Sequence, residues 1–429
     1  MAKIKPFHGV RFNKKSVGSL SKVVCPPYDV INKQQRKNYL SKSDYNVVSL
    51  VLPKGGNKPA GYENSKKLLN KWLNSGVLIH DEKPCVYVYI QKYKVGKTTK
   101  SRMGFMALLE LQDGKKRKVL PHEKIFDKFK FERSGLMRTT QSHLSPIFTV
   151  FKDKGKKVDK LLSSAIKGKK PIANIDTKDV EEKLWNISDD KIIHSLEHLI
   201  KNEELFIADG HHRFEASLYT RDYLRVQQRS GKTKMPYDYT MVYFLSMQNK
   251  GMVILPTHRT IKYLPKGFSK ELLLKKLSKH FSVSLAKNKQ ELLKKMEAAD
   301  KKAKNAFGFF YKNTYIFAAL KDTKIIKSIG PTGNCLSWKK LDVSILHYFI
   351  LPELLGIKEK AGAKRNIYYY RGIPEAIKMV KSKDFKLAIF LNSTKIEEVE
   401  AVAKAGNKMP HKSTYFYPKL LTGLVIHKF

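Results

Sequence analysis

The segment Leu205-Phe206-Ile207-Ala208-Asp209-Gly210-His211-His212-Arg213-Phe214-Glu215 brings a carboxylate, two imidazoles and a guanidinium into one turn. Phosphate chemistry uses such a set: guanidinium and imidazole groups donate to phosphate oxygens, and a carboxylate can hold Mg²⁺ or accept from a substrate hydroxyl. Leu205 to Ala208 read as the end of a buried strand, Asp209-Gly210 as a tight turn, and Glu215 to Leu224 as a helix. A strand–turn–helix step aims free backbone N–H groups at one point, where the helix dipole also favours an anion. Asp209, Gly210, His211, His212 and Arg213 are therefore the phosphate-handling candidates. The plainer alternative is a helix N-terminus capped by Asp209 with both histidines on the surface. The number of chemically capable side chains in one turn argues against it.

Four further segments carry candidate groups. Val119-Leu120-Pro121-His122-Glu123 leads an apolar pair into a proline-stiffened corner that presents His122 and Glu123, and a held glutamate can take a proton from a hydroxyl. It is not a zincin, because Phe126 stands where H-E-x-x-H needs histidine. On spacing alone, a surface ion pair is the stronger reading of this corner. Arg133 to Phe148 is rich in hydroxyls and donors without strong apolar periodicity, and reads as a loop that suits a small polar substrate or as a plain surface loop; Arg138 and Ser145 are its candidates. Pro256-Thr257-His258-Arg259-Thr260 follows a strand, and His258 and Arg259 either extend an anion site or form one more exposed basic turn. Finally, Lys412 and Lys419 lie between aromatics in Met409-Pro410-His411-Lys412-Ser413-Thr414-Tyr415-Phe416-Tyr417-Pro418-Lys419. Stiffly held lysines can neutralise phosphate, although a tail packed by its aromatic residues fits equally well. Gly96-Lys97-Thr98 mimics half of a P-loop, but Gln91 replaces the first glycine and a strand follows, so it reads as a hairpin tip.

The elements that must position these groups alternate between α and β. Residues 62–75 have helical periodicity through Leu68, Leu69, Trp72 and Leu73. Pro84–Ile90 and Met103–Leu109 read as strands of a hairpin turned at Gly96. Residues 156–205 read as mainly helical around an irregular piece from Pro171 to Asp176. Strands are expected at Tyr239–Ser246, Met252–Leu255, Ala306–Tyr311, Thr314–Ala318 and Leu387–Leu391. Helices are expected at Lys270–His280, Lys289–Ala299, Val343–Leu351 with a break at Pro352, and Ile396–Ala405 with a stop at Gly406. The fold class is thus mixed α and β (α+β).

A chain of 429 residues with 42% apolar content can build two or three domains. No run of 18 apolar residues exists, so no transmembrane helix and no membrane partner are expected. The N-terminal residues lack the apolar stretch of a secretory signal. Three scattered cysteines, Cys25, Cys85 and Cys335, form no C-x-x-C pair. Together these features lead us to expect a reducing, cytoplasmic setting. The net charge of +46 invites a nucleic-acid reading, but the excess is mostly lysine spread from end to end, without the clustered arginine and aromatics of a nucleic-acid surface. Such a field draws in small polyanions.

Five blocks carry a family resemblance: Cys25-Pro26-Pro27-Tyr28-Asp29-Val30-Ile31, Leu120-Pro121-His122-Glu123, Ser145-Pro146-Ile147-Phe148, Ala208-Asp209-Gly210-His211-His212-Arg213, and Met409 to Lys419. In this order they resemble the domain-of-unknown-function 1015 family, with His411 standing where that pattern has glutamine. The Pro-His-Glu and Asp-Gly-His-His-Arg pair is also similar to the core of free-serine kinases built on the ParB/sulfiredoxin fold. The resemblance implies a ParB/sulfiredoxin-like core at 101–265, flanked by α/β regions at 1–100 and 266–429. It implies Glu123 as general base, Asp209 as partner of a Mg²⁺ ion or the hydroxyl, and Gly210, His211, His212, Arg213, Lys412 and Lys419 around phosphate. His122, Arg138, Ser145, His258 and Arg259 are left to contact substrate. The implied reaction makes O-phosphoserine from L-serine with pyrophosphate as donor. Adenine nucleotide donors, or hydrolysis of phosphoserine with water as acceptor, are the near alternatives. A ParB-type nucleic-acid-binding protein is the alternative of another class, although no helix-turn-helix is evident beside the core.

Overall fold

A computed structural model describes residues 1–429 apart from 115–116, 178, 230, 232 and 358–365. It is a mixed α/β chain that folds into two compact units. The first comprises 1–121, 125–253 and 418–429, and the second 122–124 and 254–417.

The first unit is built on a nine-stranded sheet among the described residues. Its strands are β1 (Ile4–Lys5), β2 (Val86–Val95), β3 (Thr98–Glu110), β4 (Val119–Leu120), β5 (Ile147–Phe151), β6 (Ala173–Asp176), β7 (Val180–Ile187), β8 (Leu205–Asp209) and β9 (Tyr239–Ser246). They lie in the order β4-β8-β5-β9-β3-β2-β7-β6, with β1 paired to β3. The β2–β3 hairpin closes through Gly96 at a φ of 58°, a left-handed value that tight hairpins require. That turn disposes of the P-loop alternative. It also places residue 100 inside β3.

The period-two alternation of the strands gives this sheet two unlike faces. Val86, Val88, Phe105, Ala107, Val242 and Phe244 form an apolar face. It packs on α3 (Lys157–Ile166) and α4 (Asp190–Ile200) through Leu162, Leu196 and their neighbours. On the other face Tyr89, Gln91, Arg102 and Glu182 form a buried polar network. Arg102 Nε donates to Gln91 Oε1 at 2.8 Å, Gln91 Nε2 donates to Glu182 Oε1 at 3.2 Å, and the Tyr89 hydroxyl donates to Glu182 Oε2. The segment 418–429 returns onto this face. Arg102 donates to the Pro418 carbonyl, and Gln91 Nε2 donates to the Lys419 carbonyl at 3.1 Å. Further along, Thr422 N donates to Cys25 O at 2.8 Å and Ile426 N to Val10 O at 2.9 Å.

Two expectations for this unit are corrected. Residues 156–205 are not mainly helical, since β6 and β7 occupy 173–176 and 180–187. Glu182 sits on the buried polar face, so the strand lacks the apolar alternation that would have marked it. Arg133 to Phe148 is not a loop either. Its first half lies in α2 (Asp127–Thr140), ended by Gln141 in the left-handed region, and its end lies in β5. The buried face of α2 carries Arg133, Ser134, Gly135 and Thr140 beside only two apolar side chains, Leu136 and Met137. Ser134 Oγ pairs with Thr220 Oγ1 at 2.9 Å, and an added Cβ at Gly135 would meet the Tyr62 ring at 2.5 Å. Tyr62 belongs to α1 (Pro59–Asn74), which spans the periodicity expected at 62–75. Small and hydrogen-bonded residues thus bury α2 without an apolar stripe.

The second unit centres on an antiparallel sheet with six strands among the described residues. Its strands are β10 (His258–Ile261), β11 (Phe281–Ala286), β12 (Ala306–Tyr311), β13 (Thr314–Leu320), β14 (Ile367–Tyr370) and β15 (Leu387–Leu391), ordered β11-β13-β12-β15-β10-β14. Helices α6 (Lys270–Ser278), α7 (Lys289–Lys301), α8 (Ile373–Lys381) and α9 (Ile396–Lys404) contribute Leu273, Leu277, Leu292, Ile377 and Val399 to its two cores. Here too the sequence reading is corrected. His258 and Arg259 are not an exposed turn but 2% and 1% exposed in β10. The helix at 343–351 does not break at Pro352: a π-helix runs from Leu346 to Leu354 with the proline inside. Its wider turn bonds Leu355 N to Ile350 O at 2.9 Å.

Burial pushes the Glu182 carboxyl up from 4.5 to about 7. A raised carboxyl means that the folded state holds the proton more tightly than the unfolded chain. Its stabilising effect is therefore complete below about pH 4.5 and lost as pH rises through about 7. Glu182→Gln keeps the shape and removes the titration. Urea unfolding of the variant and parent at pH 5 and pH 8 should show the variant gaining on the parent at the higher pH, by on the order of 3 kcal/mol. A difference that does not change with pH would remove Glu182 from this account.

Candidate functional site

In the first unit the expected phosphate turn is built by a bulge and a left-handed glycine. β8 runs parallel to β4 and antiparallel to β5, and its register with β5 shifts between Ile207 and Asp209. Such an irregularity re-aims the side chain that follows it. Gly210 has a φ of 91° and serves as the N-cap of α5 (His211–Gln228), which begins four residues earlier than Glu215, where the sequence reading started it. The cap is thus Gly210 rather than the Asp209 side chain, which is released for other partners.

Those partners are two cations. Arg213 Nη2 lies 2.7 Å from Asp209 Oδ2, and Lys419 Nζ reaches Asp209 Oδ1. Arg213 Nη1 donates to the Pro146 carbonyl, so the guanidinium is held from two sides. Lys419 is placed by the return segment on the polar face of the sheet. Two positive charges against one carboxylate, at the N-terminus of an 18-residue helix, leave a surplus of positive potential. His211 is buried, while His212 is half-buried with its Nε2 accepting from Phe126 N at 3.2 Å and its ring stacked on Phe126.

The structure adds groups to this site that the sequence reading passed over. Arg133 lies over the Tyr28 ring at 4.1 Å, and both line a cavity of about 30 Å³ with Ser145 and Arg213. The Cys-Pro-Pro-Tyr block was the available signal for Tyr28. Arg133 opens the donor-rich segment 133–148, and its burial in α2 is what the sequence does not announce. Ser145 Oγ pairs with Thr422 Oγ1 at 2.8 Å, and Arg138 stacks on Tyr223 at 4.0 Å.

His122, Glu123, His258, Arg259 and Lys412 belong to the second unit. There the Pro-His-Glu corner meets the C-terminal block: Glu123 bridges to Met409, Met409 N donates to His122 O at 2.7 Å, and His122 Nε2 pairs with Thr414 Oγ1 at 3.2 Å. His258 Nδ1 accepts from Leu391 N at 3.4 Å. Lys412 is exposed, with a left-handed φ of 58°.

The turn does not fit a resident divalent ion. Both Asp209 oxygens already face cations. Nowhere among the described residues do three His, Cys, Asp or Glu side chains gather as a metal site. The expected metal role of Asp209 gives way to that of an anchor for Arg213 and Lys419.

A family profile described as a protein of unknown function, DUF1015, matches residues 4–344. The chain belongs to the DUF1015 family. The C-terminal block at 409–419 lies beyond the matched part of this DUF1015 chain. No curated protein matches it. Among solved structures it is similar to a free serine kinase variant in complex with AMP, at 14% identity over 70% of this chain and 84% of that one, with a TM-score of 0.33. A conserved hypothetical protein from Pyrococcus furiosus matches at 15% identity over 70% and 87% of the two chains, with a TM-score of 0.31. SbnI with a C-terminal truncation, from Staphylococcus aureus, matches at 11% identity over 75% and 86%, with a TM-score of 0.33. The overlap is too slight for what those proteins bind to carry over to the DUF1015 chain. Among its described residues no helix is long and apolar enough to cross a membrane.

Gly210 is the test of the turn. A Cβ there would be strained by the left-handed φ and would lie 3.0 Å from the Arg213 guanidinium. Gly210→Ala should cost about 1–2 kcal/mol of unfolding free energy. Urea unfolding measures the loss, and unchanged stability would show that the turn tolerates a side chain.

Proposed function

We propose that this DUF1015 chain is a phosphotransferase that makes O-phosphoserine from free L-serine, with pyrophosphate as donor. The observation that carries the phosphate part is the Asp209 carboxylate held between Arg213 and Lys419 at the start of α5. Phosphoryl transfer needs positioning and charge neutralisation more than covalent chemistry by the protein. Arg213 presents a fixed guanidinium, Lys419 a point charge, and the start of α5 the positive end of a helix dipole. Serine as acceptor and Glu123 as base rest on the motif resemblance.

In the proposed reaction the serine hydroxyl oxygen attacks one phosphorus of pyrophosphate. The bridging P–O bond breaks, inorganic phosphate leaves, and the hydroxyl proton passes to Glu123. Mg²⁺ enters with pyrophosphate as part of the donor substrate. Arg213 and Lys419 neutralise donor oxygens, and Asp209 keeps both cations in place.

The deciding experiment offers purified protein L-serine and Mg²⁺ with pyrophosphate, ADP or ATP separately, and follows phosphoserine by mass spectrometry. Turnover with pyrophosphate alone is the expected result. Turnover with a nucleotide alone would overturn the donor, no turnover with any donor would overturn the kinase reading, and a steep salt-dependent DNA shift without turnover would favour the nucleic-acid alternative.

Two substitutions assign roles. Glu123→Gln should lower kcat by about 10²–10⁴-fold with little change in the KM for serine; a rise in KM alone would make Glu123 a binding group. Arg213→Lys should raise the KM for pyrophosphate and leave that for serine nearly unchanged, because an ammonium cannot reproduce a bidentate contact. Equal damage to both constants would point to a collapsed turn.

A further inference from the structure

The second unit has a cavity of about 630 Å³ at one end of its sheet. Three segments form the wall. Residues 262–268 leave β10, residues 311–313 turn from β12 into β13, and residues 380–386 run from the end of α8 into β15. The antiparallel register sets Ile261 against Leu387 and Phe310 against Ala388, so all three segments come off the same end of the sheet. Val380 to Lys386 lie beyond residue 344, where the DUF1015 match ends.

Each segment supplies both a cation and an apolar group. Lys262 comes with Leu264 and Phe268, Lys312 with Tyr311, and Lys381, Lys383 and Lys386 with Val380 and Phe385. Tyr311 and Phe385 are buried, and the Tyr311 hydroxyl already donates to Phe268 O at 3.2 Å, so that part of the wall is apolar. Tyr263 stands apart. Asn366 pins its backbone, donating from Nδ2 to Tyr263 O at 3.1 Å and accepting from Tyr263 N at 2.7 Å. The Tyr263 ring is 51% exposed and has no aromatic partner among the described residues, and Lys262 Nζ lies 5.6 Å from its centre.

None of the five lysines is ion-paired, and no acid lines the cavity, among the described residues. Two acids lie outside the wall. Glu271 feels the charge of Lys312, and Asp384 Oδ2 accepts from Ser382 Oγ at 2.6 Å. They reduce the positive surplus without removing it. Like charges around one mouth repel one another, and an anion relieves that repulsion. A monocarboxylate would leave most of the lysines idle, and inorganic polyphosphate would leave the apolar wall and the Tyr263 ring idle. A planar base with two or more phosphates uses both, and the volume is that of a site for such a molecule. We propose that this cavity binds a nucleoside di- or triphosphate, its base against Tyr263 and the apolar wall and its phosphates on the lysines. The inference does not rest on the proposed reaction, whose Asp209 turn belongs to the first unit.

Photolabelling of the full chain with azido-ATP, followed by mass-spectrometric mapping of the labelled peptides, tests this at the cavity itself. Label within 262–268, 311–313 or 380–386 is expected. No label, or label confined to other segments such as the Asp209 turn, overturns the proposal. ATP or GTP should protect the three segments at concentrations about tenfold or more below those needed with adenosine or tripolyphosphate. Protection by adenosine or tripolyphosphate as good as by the nucleotides overturns it, because only one half of the ligand would then be recognised. Protection by a single-stranded oligonucleotide about tenfold better than by ATP also overturns it and assigns the cavity to nucleic acid. Tyr263→Ala, and Lys381→Glu combined with Lys383→Glu, alter exposed side chains. Each variant should cut labelling of the three segments by about tenfold, and labelling indifferent to either overturns the proposal. None of these outcomes bears on whether phosphoserine is formed.

Discussion

The carboxylate of Asp209 is the point on which the first unit turns. It draws Arg213 from the first turn of α5 and Lys419 from 210 residues along the chain. Each contact has its own structural requirement. The bulge in β8 and the left-handed Gly210 free the carboxylate from capping duty, the Pro146 carbonyl fixes the far side of Arg213, and the polar network under the return segment sets the reach of Lys419. Any one of these missing would leave a cation to wander or a charge unmatched. The network itself shows the same economy. Gln91 receives from Arg102 through its amide oxygen and gives through its amide nitrogen to both Glu182 and the Lys419 carbonyl.

A second pattern concerns the buried arginines. Among the described residues each leans on a backbone carbonyl: Pro418 for Arg102, Val51 for Arg133 and Thr257 for Arg259, while Pro146 for Arg213 and Leu111 for Arg221 act beside the carboxylates of Asp209 and of Asp113 and Asp222. Carbonyl dipoles orient a guanidinium firmly but do not cancel its charge. Each unit therefore contains inward cations whose field is spent on whatever anion arrives, while the lysine excess stays at solvated positions.

Much of this was legible in the residues. Leu205 to Arg213 announced a strand, a turn and a helix, and all three are present because the apolar run, the Asp-Gly pair and the Ala/Leu pattern point the same way. The two hairpins and the helices α6, α7 and α9 were equally plain, whereas α8 was not foreseen. What escaped notice was structure buried by polar groups. Periodicity registers apolar residues, so α2, buried through Arg133, Ser134, Gly135 and Thr140, looked like a loop, and β7, carrying Glu182 inward, looked helical. β10 was missed for the same reason, because His258 and Arg259 read as surface residues. Long-range pairings were out of reach as well. Nothing near Lys419 in the chain says that its partner is Asp209, and nothing near Met409 says that it bridges to Glu123.

The order of the segments has a consequence for biogenesis. The first unit takes its last strip, residues 418–429, from the chain that follows the whole of the second unit. During synthesis the sheet, the β8 bulge and α5 emerge with Asp209 and Arg213 already in place, yet Lys419 and the cover over Tyr89 and Glu182 come only after some two hundred further residues. Until then the polar face has no lid, and Arg213 is the sole cation on Asp209 among the described ones. The nascent protein thus passes through a stage in which its folded sheet is open on one side and its anion turn half-charged. The closing contacts are of very long range and are formed late.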